Sequence, residues 1–306
     1  MATLGIDLGG TKIALGVLEG GRLIQRSRIT TPREGAEAVL QAMIAAASEL
    51  LAEAGVPVAA VGVGTPGPID YARGVVVFAP NIARFRDVPL RSRLEEALER
   101  PVVIENDANA AALAEHHLGA ARGAGSSFFV TVSTGIGSGL VADGRVWRGA
   151  YGQAGEFGHL TVLPGGPVCG CGNQGCLEAV ASGRALARDA AYAYAESLDT
   201  PALFARWRAG EAKAARIVEA AADYLGQALA GVQKLWDPEV VVIGGGVAVG
   251  GGEVWLERVR RAFERHAAGW RTAPLLPARL GEDAGVIGAA LAARQGMPGD
   301  AEPPRG

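Results

Sequence analysis

Two stretches of the chain share one pattern of apolar and polar positions. Residues 4–23 and residues 129–147 each contain a short apolar run, a turn rich in glycine with threonine or serine, a second apolar run and a tight glycine turn. Short apolar runs bounded by such turns are typical of β-strands, and a glycine turn between two of them predicts a β-hairpin. Because the pattern occurs twice, we expect two related hairpins, each beginning one half of the protein.

Beyond each hairpin the pattern changes to alternating helices and strands. Residues 36–54 have the spacing of an amphipathic helix, and continuous apolar runs such as 240–243 indicate buried strands. The other predicted elements are strands at 59–64 and 102–105 and helices at 91–98, from 108 onward, and at 184–196, 211–236 and 286–294. This alternation predicts an α/β fold with mixed sheets flanked by helices.

The length of the chain, 306 residues, exceeds what one hydrophobic core usually supports and suits two. We therefore expect two domains with a cleft between them, because small ligands usually bind in such clefts. Residues 296–306 are rich in glycine and proline, and we expect this tail to be disordered.

Composition and charge exclude several classes of protein and of partner. Apolar residues make up 49% of the chain and charged residues 20%, which is typical of a folded globular protein and excludes a disordered one. The formal charge is -3, with lysine and arginine spread along the chain, so we expect no nucleic-acid or membrane partner. The chain shows no signal-peptide pattern and no membrane-spanning apolar run, and it has only three cysteines. These features favour a reducing, cytoplasmic location.

The two hairpin turns carry residue types that bind phosphate groups. Backbone N–H groups hold phosphate oxygens at close approach, which glycine permits because it has no Cβ. Asp7 in the first turn can hold a hydrated Mg²⁺ against the phosphates, and Thr11 and Thr134 can donate hydroxyl hydrogen bonds. Lys12 either adds positive charge or points outward. One such turn alone is equally consistent with a plain hairpin turn, and the duplication favours phosphate binding.

A third glycine cluster follows a buried strand in the second half. Gly244, Gly245 and Gly246 come directly after the apolar run 240–243 and before a predicted helix, which is an ordinary ligand-binding edge in α/β folds. Alone this pattern is weak, because it is neither a Walker loop nor a complete Rossmann fingerprint. The candidate nucleotide-binding residues are Asp7, Gly9, Gly10, Thr11, Lys12, Thr134, Gly135, Gly137, Gly245 and Gly246.

A strand-to-helix junction carries a candidate catalytic base. The predicted strand 102–105 is followed by Asn106, Asp107 and an alanine-rich helix. An aspartate at such a junction is often a helix N-cap, which is one interpretation of Asp107. The other interpretation is that Asp107 accepts the proton of an attacking hydroxyl while Asn106 holds a neighbouring hydroxyl. Phosphoryl transfer needs little more than positioning, an orienting carboxylate and Mg²⁺.

All three cysteines lie within eight positions and follow a histidine. Cys169, Cys171 and Cys176 with His159 supply three thiolates and one imidazole, a tetrahedral set that structural zinc prefers. The glycines between the cysteines allow the backbone to fold tightly around an ion. The alternative is three unrelated buried cysteines and a solvated histidine.

Two glutamates, Glu156 and Glu178, flank these ligands on either side. An ion that fixes the ligands would also fix these carboxylates, which can accept hydrogen bonds from the hydroxyls of a polyol. The sequence therefore links a structural metal site to recognition of a polyol substrate.

These motifs occur in the order found in the ROK family (repressors, open reading frames and sugar kinases), and the chain resembles that family from about residue 4 to residue 292. The motifs are residues 7–12, 105–107, 133–139, 156–159, 169–176 and 244–246. The resemblance implies the actin-like ATPase (ribonuclease H-like) fold, with two domains hinged around a central cleft. It implies one domain of residues 1–118 plus the returning helix 285–295, and a second domain of residues 119–284.

The resemblance is nearest to the bacterial glucokinases of the family and implies ATP-dependent phosphorylation of D-glucose at the 6-hydroxyl, with Mg²⁺ bound to ATP. Asp107 would be the base, and His159 would bind zinc through one ring nitrogen and the sugar through the other. The implied sugar-binding residues are Gly64, Pro66, Asn81, Asn106, Asp107, Glu156, His159 and Glu178. The family also implies a homodimer or homotetramer.

Three other interpretations remain open from the sequence. The chain could phosphorylate another hexose, such as fructose, mannose, allose or N-acetylmannosamine, because the hydroxyl-binding residues do not separate these sugars. A sugar-sensing protein without catalysis is disfavoured, because Asp7, Asp107 and both phosphate turns are present. An actin-like polymer or chaperone ATPase shares the hairpins but gives no reason for a zinc site between two glutamates.

Overall fold

The computed structural model describes residues 1–297. From residue 298 onward, the tail that the sequence predicts to be disordered lies outside the described residues. The chain divides into two units. One contains Met1–Arg122, Gly144–Ala154 and residues 282–297, and the other contains Gly123–Asp143 and Gly155–Gly281. The sequence-based boundaries assign Gly144–Ala154 to the second domain, whereas this segment belongs to the first unit, because its side chains pack on first-unit residues.

Each unit begins with strands, and helices follow them along the chain. The strands are β1 Ala2–Leu8, β2 Lys12–Glu19, β3 Arg22–Thr30, β4 Val58–Thr65, β5 Ile69–Asp70, β6 Val75–Phe78, β7 Arg86–Val88, β8 Val102–Asn106, β9 Ser126–Val132, β10 Ile136–Ala142, β11 Arg145–Val146, β12 Val240–Gly244 and β13 Leu275–Pro277. The α-helices are α1 Ala36–Glu53, α2 Leu90–Leu98, α3 Asp107–Leu118, α4 Leu177–Ala181, α5 Gly183–Tyr194, α6 Thr200–Arg208, α7 Ala212–Trp236, α8 Gly246–Ala267 and α9 Ala284–Gln295.

The first unit is built on a mixed sheet with the strand order β3-β2-β1-β4-β8. Strands β1, β2 and β3 pair antiparallel, whereas β4 is parallel to β1 and β8 is parallel to β4. Parallel neighbours need a crossover, which α1 and α2 provide. The register pairs Asp7 with Gly64 and Gly64 with Glu105. The carboxyl ends of β1, β4 and β8 therefore carry the candidate residues to one edge of the sheet.

Helix α9 covers this sheet at unusually short distance. Its backbone lies against Gly5 of β1 and Gly62 of β4, where any Cβ would collide with carbonyl oxygens of the helix. Because both positions are glycine, the beginning of α9 reaches the end of β1, where Asp7 lies. The returning C-terminal helix therefore helps to form the first phosphate turn.

The second unit is built on strands β10, β9, β12 and β13, adjacent in that order. Strands β9 and β10 form the second antiparallel hairpin, and β12 is parallel to β9 with Gly244 opposite Thr131. This register brings the third glycine cluster to the edge of the sheet where the second hairpin turn begins.

Each unit has its own hydrophobic core. Residues such as Leu4 and Ile6 are fully buried in the first, and Phe204 and Trp255 are fully buried in the second. Separate cores are what two domains of this size are expected to have. Among the helices described up to residue 297, none has the length and apolar character needed to cross a membrane.

Candidate active site

The first phosphate turn closes at the end of β1. The backbone N–H of Gly9 donates to the carbonyl of Lys12 at 3.0 Å, and the Thr31 hydroxyl donates to the Gly9 carbonyl at 2.7 Å. Burial raises the pKa of Asp7, and the nearby positive charge of Lys12 opposes this effect. A Cβ on Gly285 would lie 2.6 Å from Cγ of Asp7, so only glycine fits at this point of α9. The carboxylate is thus held at a helix N-terminus, which attracts negative charge.

Lys12 has a partner other than a phosphate. Its Nζ donates to Oε2 of Glu282 at 3.0 Å, and the same oxygen accepts a hydrogen bond from Arg28 at 2.7 Å. Hydrogen bonds from Lys12 and then from Arg28 lower the pKa of Glu282. Lys12 therefore lies at the predicted turn but forms an ion pair with a carboxylate that precedes α9.

Two of the predicted sugar-binding residues lie beside Asp107 and the first turn. A Cβ on Gly64 would be 3.8 Å from Cα of Asp107, and a Cβ on Gly10 would be 2.6 Å from the carbonyl oxygen of Asn81. Pro66 follows β4 directly, and Asn81 is exposed. The structure therefore brings Gly64, Asn81 and Asp107 to one edge of the first unit, as the sequence-based assignment requires.

Asn106, and not Asp107, is the N-cap of α3. The side-chain oxygen of Asn106 accepts hydrogen bonds from the backbone N–H groups of Ala108 at 2.9 Å and Asn109 at 3.2 Å. Asp107 is the first residue of the helix, and its Oδ1 accepts from Ala108 N–H at 2.8 Å. The capping interpretation that the sequence left open for Asp107 applies to its neighbour.

The second hairpin turn, which is predicted to bind phosphate, is contacted by helix α5. The N–H groups of Gly183 and Arg184 donate to the carbonyls of Ser133 and Thr134, at 2.7 Å and 3.3 Å. These contacts place the N-terminus of α5 against the turn.

Glu178 contacts the same turn. Its Oε2 accepts a hydrogen bond from the backbone N–H of Ile136 at 2.9 Å, and a Cβ on Gly135 would collide with this carboxylate. Gly137 follows in β10, where it pairs with Thr131. A residue assigned to the sugar therefore also holds the turn assigned to the nucleotide.

A pocket of about 460 Å³ opens beside the second turn, within the second unit. Its lining includes Thr134 and Gly246, which the sequence assigned to the nucleotide. Gly245 precedes α8 with a φ of 90°, a conformation that favours glycine. The pocket is also lined by residues from α5 and α6 and the turns before them that the sequence did not indicate, namely Gly183, Arg184, Asp199, Thr200 and Pro201. No local motif marks them, because they become neighbours only when α5 and α6 pack beside the turn.

The histidine and the three cysteines converge in the second unit. One ligand atom from each of His159, Cys169, Cys171 and Cys176 lies within 4.8 Å of every other. The Cys171 and Cys176 sulfurs are 3.7 Å apart, and Cys169 Sγ is 3.6 Å from His159 Nδ1. Tetrahedral zinc with Zn–S bonds of about 2.3 Å separates neighbouring sulfurs by about 3.8 Å. The cluster therefore fits a structural zinc ion.

The electrostatics of the cluster also suit a cation. Burial is the main cause that raises the pKa of Cys176 to about 12, and it raises the pKa of Cys169 as well. Thiolates at such positions need a compensating positive charge, which a divalent ion supplies. His159 turns Nδ1 toward the sulfurs and leaves Nε2 3.9 Å from Oε2 of Glu156.

Two α/β units, each begun by a hairpin with a phosphate-type turn, define the actin-like ATPase fold, which the similar solved structures share. The ROK family model matches residues 3–296, and the protein belongs to the ROK family. The predictions of fold and family are confirmed.

Three proteins illustrate what this chain is similar to. The structure of a ROK hexokinase from Thermus thermophilus is 56% identical, covers 96% of this chain and 98% of its own, and has a TM-score of 0.91. A ROK glucokinase from Streptomyces griseus, solved with glucose and AMPPNP, is 38% identical over 97% of this chain and 100% of its own, with a TM-score of 0.83. The N-acetylmannosamine kinase of Salmonella typhimurium is 38% identical over 96% of this chain and 99% of its own.

Proposed function

We propose that this protein transfers the γ-phosphoryl group of ATP to the 6-hydroxyl of a hexose, and that the hexose is D-glucose. The observation that carries the proposal is Asp107, placed beside Gly64 in a chain that is similar throughout to a glucokinase solved with glucose and AMPPNP. Asp7, both phosphate turns and the cysteine cluster accompany it.

In the proposed reaction the sugar 6-oxygen attacks the γ-phosphorus, and the bond from that phosphorus to the β–γ bridging oxygen breaks to release ADP. Asp107 accepts the hydroxyl proton as the new bond forms. The N-terminus of α3 supports a carboxylate at this position, because its backbone N–H groups attract negative charge. A positioned base of this kind contributes about 10²- to 10⁴-fold to the rate.

The nucleotide is assigned to the two hairpin turns and to the pocket of the second unit. The first turn offers the carboxylate of Asp7, an oxygen ligand that suits a hydrated Mg²⁺. When bound with ATP, Mg²⁺ neutralises charge on the β- and γ-phosphates. Thr134 and Gly246 line a pocket large enough for the nucleoside, and backbone N–H groups at the turns suit the phosphates.

The hexose is assigned to Asn106, Glu156, His159 and Glu178, with Gly64, Pro66 and Asn81 forming a wall of the site. His159 can serve zinc through Nδ1 and a sugar hydroxyl through Nε2, since Nδ1 is the nitrogen near the sulfurs. Structural zinc would hold the chain between His159 and Cys176 in place and so keep Glu156 and Glu178 at fixed positions. The function proposed for the metal is therefore structural.

N-acetylmannosamine is the second candidate substrate, because a kinase for that sugar is 38% identical to this chain. The two hexoses differ at carbon 2, where the acetamido group needs more space than a hydroxyl. We further propose that the enzyme acts in the cytoplasm as a homodimer or homotetramer. Light scattering on the purified chain tests the subunit number.

A panel of hexoses tests the proposed activity. ADP release is measured with D-glucose, mannose, fructose, allose and N-acetylmannosamine, with either ATP or polyphosphate as the donor, and the phosphorylated carbon is identified by NMR. We expect the highest kcat/KM with D-glucose and ATP, and glucose 6-phosphate as the product. If kcat/KM is higher with N-acetylmannosamine than with D-glucose, N-acetylmannosamine becomes the assigned substrate. No turnover with any sugar would contradict the kinase assignment.

A further inference from the structure

A completely buried carboxylate lies next to the proposed base in the first unit. Glu105 is 0% exposed and is the next-to-last residue of β8, directly before Asn106. Its Oε1 accepts hydrogen bonds from the Tyr71 hydroxyl at 2.7 Å, the Asn106 backbone N–H at 3.0 Å and the Asn109 amide at 3.1 Å. Its Oε2 accepts two from Arg148, at 2.8 Å from Nε and 2.6 Å from Nη2. Donors therefore saturate both oxygens.

The contacts among Glu105, Arg148 and Tyr71 indicate which of these side chains carry charge. A buried carboxylate is unfavourable unless it is paired, and the two-point contact with Arg148 supplies both the charge and the geometry. Burial is the main cause that raises the pKa of Tyr71, and the charge of Glu105 adds to it, so the phenol remains a hydrogen-bond donor. The Arg148 guanidinium lies 4.9 Å from the centre of the Tyr71 ring.

The chain around Arg148 is itself shaped to reach this group. The Arg148 carbonyl accepts a hydrogen bond from Ala154 N–H at 3.0 Å. Gly152 has a φ of 70°, and a Cβ there would lie 2.7 Å from the Tyr71 ring. Only glycine allows this part of Gly144–Ala154 to rest on the ring while Arg148 reaches Glu105.

The buried group contacts residues on both sides of Asp107 in the sequence. Glu105 binds the N–H of Asn106 before Asp107 and the side chain of Asn109 after it. Asn106 in turn accepts from the N–H groups of Ala108 and Asn109. The first turn of α3 is therefore connected through Glu105 to Tyr71 and Arg148, which are remote in the sequence.

We propose that Tyr71, Glu105 and Arg148 are positioning residues for Asp107 in the phosphoryl transfer. The proposal rests on the proposed function, because it gives these residues an effect only through that base. Glu105 is fully buried and acts on the backbone beside Asp107, so it is not itself a catalytic residue. A displacement of about 1 Å at a reacting group can lower a rate by about 10²-fold, so these contacts can affect kcat without contacting substrate.

A double-mutant cycle tests the proposal. Arg148→Met and Tyr71→Phe are each made in the wild-type chain and in Asp107→Ala, and single turnovers are followed with radiolabelled ATP so that slow variants remain measurable. In the wild-type background we expect kcat to fall about tenfold for Arg148→Met and about threefold for Tyr71→Phe, with little change in hexose KM. In the Asp107→Ala background both effects should fall below about twofold, because the residue through which they act is gone.

Arg93→Met is the matched control. Arg93 also makes a two-point contact with a carboxylate, donating to Glu37 at 3.0 Å and 2.7 Å, but this pair is exposed. We expect the kcat of this variant to equal that of the wild type. If Arg148→Met does not fold, Tyr71→Phe removes a single hydrogen-bond donor and serves for the cycle.

Three outcomes would overturn the proposal, and they are distinguishable from failure of the proposed function. Equal losses in both backgrounds would show that Arg148 and Tyr71 stabilise the fold without acting through Asp107. Unchanged kcat in both single variants would show that the group is dispensable for positioning. A wild-type rate for Asp107→Ala would remove the proposed base itself, and the positioning role with it.

Discussion

Three carboxylates of the candidate site each lie beside backbone groups. Asp7 lies against the first residues of α9, Asp107 lies in the first turn of α3, and Glu178 binds the N–H of Ile136. Helix N-termini and backbone N–H groups stabilise negative charge and orient these side chains before a ligand binds, whereas burial raises the pKa of Asp7. At the scale of the residue, the site is organised by where the backbone N–H groups point.

Asp107→Ala tests the base. We expect kcat to fall by about 10²-fold or more, because the hydroxyl proton loses its acceptor. The free energy of unfolding should change little, since the side chain of Asn106 caps α3 and remains in the variant. Steady-state kinetics and urea unfolding measure the two effects, and Asp223→Ala, which removes a surface carboxylate paired with Arg265 and His266, is the control. A rate near that of the wild type would contradict the assignment.

Glu178 is expected to affect both substrates. Glu178→Ala removes the acceptor for the Ile136 N–H and should raise the KM for ATP as well as the KM for the hexose. Glu178→Gln keeps an oxygen that can accept this hydrogen bond, so its KM for ATP should stay closer to that of the wild type. Initial rates with each substrate varied in turn separate the two constants. Equal KM values for ATP in both variants would show that the contact with the turn has no role.

At the scale of the element, regular structure is sparse where the candidate metal ligands lie. Between the 3-10 helix Phe157–His159 and α4, the described chain has two isolated bridges, Thr161 with Cys176 and Val168 with Gln174. Such a segment buries too little apolar surface to order itself. A metal that joins its two ends would replace the missing core, as in small zinc-binding motifs.

Cys171→Ser should release zinc and loosen this segment. We expect about one zinc per chain in the wild type and a large loss in the variant by elemental analysis, because one of four ligands changes from thiolate to a weaker donor. Protease digestion should then cleave between His159 and Cys176 more rapidly. Chelator-treated wild-type protein is the control, because it loses the metal but keeps all three cysteines of the cluster. An unchanged metal content would contradict the zinc site.

At the scale of the whole molecule, each of the two cores supports its own set of candidate ligand-binding residues. The first unit carries Asp7 and Asp107, and the second carries Glu178 and the pocket beside Thr134. Each set lies at a strand edge of its own sheet, where the register of parallel strands brings separate segments together.

Substrate binding should stabilise the folded chain. A ligand at 100 times its Kd adds about 2.7 kcal/mol to the free energy of unfolding when it binds only the folded state. We expect D-glucose to raise the Tm in a concentration-dependent way, measured by calorimetry. The control is a sugar that, in the hexose panel, is neither phosphorylated nor an inhibitor. An identical rise of the Tm with that sugar would indicate a nonspecific solvent effect.

Much of the fold was predictable because its signals are local. The helix predicted at 36–54 is Ala36–Glu53, and the strand predicted at 59–64 is Val58–Thr65. Periodicity and turn residues identify such elements within a short window. The small sheet of β5, β6 and β7 was not predicted, because its strands are two to four residues long and are stabilised by pairing with one another.

The sequence by itself determined the two hairpins, the α/β class and the residue types of the candidate site, because glycine turns, apolar runs and cysteine spacing act over a few positions. Only the tertiary structure decided that Asn106 caps α3, that Glu178 holds the second turn, and that Glu105 pairs with Tyr71 and Arg148. Tyr71 lies 34 positions before Glu105 and Arg148 lies 43 positions after it. No local pattern links residues so far apart, because folding alone brings them into contact.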